Sequence, residues 1–458
     1  MMKTLFYSVM AVAFLAIAAC NKKKDEGPQV QKTPDGKIIV QGEIKGEVTW
    51  KASEKYLLRG FVYVTEGSTL TIEPGTVIFG DKDSKGTLIV EKGGKIFAEG
   101  RADAPIVFTS NLPAGSRGYG DWGGVVIAGN APTNQVGASM EGGIRGTFGG
   151  SDPNDNSGVL KYVRIEFAGI AFQPDKEING LTLYGVGRGT KIDYIQVSYC
   201  GDDSYEWFGG TVDSKYLVAH RGWDDEFDTD WGFTGKIQFG FSIRDRNFAD
   251  KSTSNGFESD NFDPGSPGNP PFTAPVFANI TCFLADTASA IPNPGLGSGS
   301  FGRGMHLRRN TRTSVFNSVF VGFPEGLRLD GNATWANVQS NELQMAGVVI
   351  AGWTGGSGNY ARSANPTGET PNFTTADVQT WYNTTNTRAN TADLRLGNIG
   401  SLNNPQRLPN AGSPLLSGAI WTGKANDAFF EKVNFRGAFG TNDWTQGWTN
   451  FNPQSTNY

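Results

Sequence analysis

The chain has 458 residues, with 62 glycines, 22 prolines, 12% aromatic residues, 19% charged residues and a formal charge of −5. That much glycine and proline excludes a mainly helical protein, and eleven tryptophans with thirty phenylalanines exclude a disordered one. So small a charge for the size speaks against a nucleic-acid partner, and with two histidines any metal site must rest mainly on carboxylates.

In chain order, residues 1–19 read as an export signal, with Lys3, an apolar run and small residues before Cys20. Ile17-Ala18-Ala19-Cys20 resembles a bacterial lipobox, which implies lipidation of Cys20. The following Asn21-Lys22-Lys23-Lys24-Asp25-Glu26 resembles the signal that places Bacteroidota lipoproteins on the outer face of the outer membrane. Residues 20–40 are then a tether. No later stretch reaches the roughly 18 apolar residues of a membrane span, so the expected membrane contact is through acyl chains, at the cell surface.

From residue 57 the pattern becomes short apolar runs separated by glycine turns, such as Leu70-Thr71-Ile72, Leu88-Ile89-Val90 and Ile96-Phe97-Ala98. Runs this brief suit a parallel β-helix better than a sandwich. A fixed offset supports this reading. Ile195-Gln196-Val197, Leu217-Val218-Ala219 and Phe239-Gly240-Phe241 stand 22 residues apart, as do Asp202-Asp203 and Asp224-Asp225. Met305-His306-Leu307-Arg308 and Leu327-Arg328-Leu329-Asp330 repeat the step. The predicted fold is all-β, a single right-handed parallel β-helix over 41–418, with roughly 14 to 16 coils and a length of about 70 Å. Residues 355–400, rich in Asn, Thr, Ser and Gly, read as loops over late coils. The aromatic segment 419–458 reads as a C-terminal cap on the open end, with a carbohydrate-stacking surface at Trp444 and Trp448 as the competing reading.

Leu70–Ile78 (LTIEPGTVI), Pro105–Ser110 (PIVFTS), Gly201–Gly210 (GDDSYEWFGG), Asp224–Asp230 (DDEFDTD) and Arg436–Gly440 (RGAFG) resemble a family of Bacteroidota β-helix surface lipoproteins of unassigned biochemical role. Ala411–Gly418 (AGSPLLSG) is similar to the closing segment of β-helix polysaccharide lyases, which implies a fold and its end rather than a chemistry. Asp202-Asp203 resembles the paired aspartates of β-helix polygalacturonases, but the Gly-His-Gly and Arg-Ile-Lys companions are missing.

Nine acids lie between Asp202 and Asp230. Strand alternation points Met305, Leu307, Leu327 and Leu329 inward and the residues between them outward. Two outward columns follow. One is Glu206, Asp228, Glu258, His306, Arg328; the other is Phe208, Asp230, Asp260, Arg308, Asp330. Carboxylates stacked about 4.8 Å apart must be protonated, paired with an arginine or bridged by a cation. Arg244, Arg308 and Arg309 are the candidate arginines. Calcium, which takes oxygen ligands, suits Asp228, Asp230, Glu258 and Asp260.

The preferred function is a non-catalytic outer-membrane module. It would bind a glycan or a protein partner through Glu206, Arg328, Asp330, Trp444 and Trp448. Whether the chain is an enzyme stays open. If it is, the reading is a calcium-dependent polysaccharide lyase on uronate polymers, with His306 or Arg308 taking the proton α to the uronate. A structural subunit of an outer-membrane complex is the third reading. Cys200 and Cys282 read as buried apolar residues or one disulfide, and Asn317 as part of an inward asparagine stack.

Overall fold

The computed structural model describes residues 31–172, 177–262, 268–284 and 299–458. The signal, Cys20 and most of the tether lie outside the described residues. Lys32–Tyr458 form one compact unit.

Among the described residues twenty-six strands join one sheet, and the pairings between strands are parallel. The sheet winds into three stacked faces. The first runs from the end of Lys55–Val64 through Thr87–Val90, Gly124–Ala128, Leu181–Tyr184, Tyr205–Phe208, Phe227–Asp230, Phe257–Ser259, Arg303–Leu307 and Glu325–Asp330 to Ala361–Ala364. This is the β-helix expected from the 22-residue step. Its longest stack, from Ile38 to Thr387–Ala389, has about twelve rungs and is about 50 Å long, shorter than the repeat length suggested. Insertions such as 129–157 use up chain without adding a rung.

The interior is one continuous apolar column. Leu58, Val64, Leu88, Ile127, Leu183, Trp207, Leu307 and Leu329 belong to the same buried cluster. Each fully buried Leu or Phe contributes about 2 kcal/mol, which favours strict repetition of inward apolar residues. Aromatic rings stack where the middle coils meet, with Tyr205 and Phe227 centred 5.6 Å apart and 7° from parallel. Cys200 and Cys282 are buried in this cluster as free thiols, so the disulfide alternative falls away.

One corner is built from bulky residues in the left-handed region: Tyr162, Tyr194, Tyr216 and Phe239, at φ 50°, 57°, 60° and 62°. Side chains rarely accept this conformation. Here the rings compensate by stacking at centroid distances of 4.5, 4.3 and 5.0 Å.

The cap is not where the aromatic count placed it. The end of the solenoid is covered by residues 353–386, among them helix α1 (Thr375–Tyr382), which starts on a Thr374–Asp377 capping box. Phe373, Val378 and Tyr382 from this segment join the main core, and the Tyr382 hydroxyl donates to Val348 O and Thr387 O. Residues 419–458 instead run back down the flank as a strap. Asn317, Gln238 and Gln196 each hold its backbone by two bonds, donating to the carbonyls of Ile420, Glu431 and Asn450 and accepting from the same residues' N–H groups. At the lower end Tyr458 donates from its hydroxyl to both oxygens of Glu166, and Lys55 Nζ donates to the Tyr458 carbonyl. The strap's aromatics have a flank to cover, the stacked corner itself, which the sequence alone did not reveal. Asn317 accordingly points to the strap and not into an internal asparagine stack.

Candidate functional site

The outward column emerges in the predicted register. Thr182 pairs with Glu206, Glu206 with Asp228, Asp228 with Glu258, Glu258 with His306, His306 with Arg328, and Arg328 with Arg362. Inward neighbours such as Tyr205, Trp207, Phe227 and Phe257 lock each strand, so the outward side chain cannot change face without exposing a core aromatic. In the second column Phe208 pairs with Asp230. Asp260 and Arg308 follow their strands by backbone bonds to Thr229 O and Ser259 O.

A pocket of about 920 Å³ opens over the acidic part of this face. Ten carboxylates of the described residues line it: Glu141, Glu177, Asp202, Asp203, Glu206, Asp224, Asp225, Asp228, Asp250 and Glu258. Among the described residues only Lys82, Lys251 and Arg308 bring positive charge, and Lys82 is bonded to Asp121. The Asp202-Asp203 and Asp224-Asp225 pairs sit on turns just before Tyr205–Phe208 and Phe227–Asp230, which explains their 22-residue offset. Asp225 N–H donates to Asp203 Oδ1 at 2.7 Å, and Asn255 N–H donates to Asp225, so each turn clamps the next. Asn179 donates to Glu206, and Ser252 Oγ donates to Asp224 at 2.8 Å. The other carboxylate oxygen of Asp224 is buried without a hydrogen-bond partner.

Among the described residues three overlapping trios have carboxylate oxygens within 4.8 Å of one another: Asp202, Asp203 and Asp224; Asp203, Glu206 and Asp228; Asp225, Asp228 and Glu258. None of Asp202, Asp203, Glu206, Asp225 and Asp228 forms an ion pair with a described base. Burial, reinforced by the neighbouring acids, pushes the carboxyls of these five well above their usual range. Asp224 is pushed up to about 7 by burial and by Asp250.

The expected calcium set of Asp228, Asp230, Glu258 and Asp260 is not what the structure brings together. Arg308 bridges Glu258 and Asp260, bonding the latter at 2.7 Å, and Arg309 holds the second oxygen of Asp260 at 2.5 Å. Asp230 belongs to the neighbouring column and does not line the pocket, whereas Glu206, Asp228 and Glu258 do. Arginine compensation therefore serves the upper acids, and the lower ones face each other. Arg244, the remaining candidate, pairs with Glu226 at 3.1 Å, where both side chains are buried.

Arg308 is poorly suited to accept a proton. Burial works against the Arg308 charge, but Glu258 and Asp260 outweigh it and raise its pKa. His306 stands between Glu258, 3.6 Å from Nδ1, and Asp330, 3.3 Å from Nε2, and is 5% exposed. Burial alone would raise the Glu258 and Asp330 carboxyls; contacts with His306 and the arginines hold both below their usual range. Arg328 makes a two-point bond to Glu325 at 2.8 and 2.6 Å.

Trp448 is only 1% exposed and donates its indole N–H to Trp444 O. Trp444 donates to Ala438 O and stacks on Phe439. Both pack edge-on to the tyrosine corner, so they form no open sugar-stacking platform.

A family profile for a pectate-lyase-like β-helix domain matches residues 42–449. The chain belongs to this family. The pectate-lyase-like domain takes in the whole outward column, the pocket and most of the strap. Searches of curated proteins and of solved structures gave no match. Within the domain, no helix among the described residues is long and apolar enough to cross a membrane.

Sequence reading missed Glu141, Glu177 and Asp250, which come from insertions and turns distant from the repeat. It noted the two Asp-Asp pairs but did not place them in the site, although their shared offset put them on successive coils.

Proposed function

We propose that this β-helix is a non-catalytic, cation-dependent glycan-binding module, anchored through Cys20 at the outer membrane. The observation carrying the reading is the pocket lined by ten carboxylates, with three trios closed to within 4.8 Å. Calcium binds six to eight oxygens at about 2.4 Å, so oxygens on opposite sides of its shell stand about 4.8 Å apart. A cation there would relieve the like-charge repulsion and leave coordination positions for carboxylates or hydroxyls of a sugar.

The family likeness also supports a lyase reading, but of the two bases named for it Arg308 is paired with Glu258 and Asp260, and His306 is wedged between Glu258 and Asp330. Calorimetric titration of the soluble domain with Ca²⁺ tests the preferred reading. The expected result is saturable binding, lost in Asp228→Asn, with polygalacturonate bound only when calcium is present and no unsaturated product formed. Absence of calcium binding would sink it, and unsaturated product would turn the assignment to a lyase.

A further inference from the structure

Above the acidic pocket the same column changes sign. Beyond Glu258 the successive rungs carry His306, Arg328 and Arg362. Arg303 joins them from the start of the His306 strand, and its register partner is Glu325. Three guanidiniums then converge on one carboxylate. Glu325 accepts from Arg328 at 2.8 and 2.6 Å and from Arg362 Nη1 at 3.1 Å, while Arg303 Nε stands 3.9 Å away.

One negative charge cannot balance three positive ones, and the nearby Asp330 already faces His306. Arg303 shows the imbalance directly. Its buried Nε has no hydrogen-bond partner, and burial together with the Arg328 charge lowers its pKa. A buried donor left without an acceptor costs free energy that an incoming anion would recover. The outer side of the cluster is reachable, since the side chains of Arg328 and Arg362 are 21% and 41% exposed. Guanidiniums suit this task because their planar fork matches the oxygens of a carboxylate or sulfate.

We propose that Arg303, Arg328 and Arg362 form an anion subsite that takes a carboxylate or sulfate group of an acidic polysaccharide whose adjoining sugars lie over the acidic pocket. This rests on the cation-dependent reading of that pocket. Glu258 and Arg328 are two rungs apart, about 10 Å, or about two pyranose units. A polymer along the column would thus meet the pocket and the arginines with acidic groups about one disaccharide apart. The sign reversal also fixes direction and register, because a neutral or evenly cationic chain gains nothing from the arginine end.

The test measures binding of polygalacturonate, dextran sulfate and neutral dextran to the lipid-free domain, with calcium and with EDTA. The variants are Arg362→Gln, Arg328→Gln and their double, with the exposed Arg101→Gln as control. The expected result is a tenfold or greater loss of affinity for one or both polyanions in the double variant, at unchanged calcium affinity. Arg362→Gln, the most exposed change, should lose about threefold even if the double variant folds poorly. Whichever polyanion wins identifies carboxylate or sulfate as the group bound. Unchanged polyanion affinity in both Arg362→Gln and the double variant, or equal binding of neutral dextran, would overturn the proposal. Binding that survives EDTA but fails in the arginine variants would keep this subsite and remove the cation reading. Binding lost in Asp228→Asn but untouched by the arginine changes would do the reverse.

Discussion

The first face of the solenoid carries two outward surfaces on a single register. On the lower rungs the column reads Tyr63, Ile89 and Val126, and a second apolar cluster closes over it with Met140, Ile144, Phe148, Ile178 and Tyr184. Four rungs higher the same positions are Glu206, Asp228 and Glu258, and the roof gives way to a pocket. The parallel register runs unbroken through both regions. The difference lies in the outward residue alone: apolar positions draw an insertion down onto themselves, while acids that lack bases keep the surface open and carry an electrostatic cost.

The largest expected effect tests the roof. Phe148 packs at a tilt against Tyr184 at 4.9 Å and stacks on Trp231 at 5.8 Å, so Phe148→Ala should cost about 3 kcal/mol in urea unfolding. A loss below about 1 kcal/mol would mean that the roof is a loose flap and the two regions differ less than their packing indicates. Next comes the boundary between compensated and uncompensated acids. Arg308→Gln removes the bridge between Glu258 and Asp260 and should cost about 2 kcal/mol in EDTA, below the fully buried range because Arg308 is 23% exposed. An unchanged midpoint would show that Arg309 alone suffices.

Asp228→Asn is expected to act in the opposite direction. Asp228 belongs to two of the three trios, so removing its charge should stabilise the cation-free protein by about 1 kcal/mol and abolish any calcium-induced rise in Tm. A destabilised variant whose calcium response persists would break the contrast. The last test is of pH. The folded Asp224 carboxyl, at about 7, lies above its ordinary value of 3.8, so between those values the folded state holds the extra proton. Stability contributed by that proton is present at low pH and falls as pH rises through the window. The cation-free protein should therefore melt higher at about pH 5 than at about pH 8, and saturating calcium should shrink the difference. A flat profile in EDTA would place the Asp224 carboxyl near its ordinary value.

Much of this face was legible because strand alternation and a fixed repeat are local properties. The offset between Glu206 and Asp228, and between His306 and Arg328, predicted the pairing found, and the alignment of Phe227, Phe257 and Met305 held across two insertions. What could not be read depends on contacts between distant parts of the chain. Glu141 reaches the pocket from an insertion, and Asp260 meets Arg309 across 49 residues. The aromatics of 419–458 announced that something would be covered, but whether they closed an end or a flank depended on the amide ladder of Gln196, Gln238 and Asn317. Polar side chains of that kind carry no periodic signal that separates them from ordinary surface residues.

That ladder bears on how the molecule comes apart and together. A stacked solenoid can fray rung by rung from either end, since each coil touches only its neighbours. Here the strap links Asn317 near the top to Glu166 and Lys55 near the bottom, a tie of up to 403 residues in sequence. Loss of an end coil must then strain the whole length, which converts gradual fraying into concerted unfolding. The tie lies C-terminal to every coil it binds, so the coils have to assemble before it can close, and closure is the step that makes the finished stack hard to reopen.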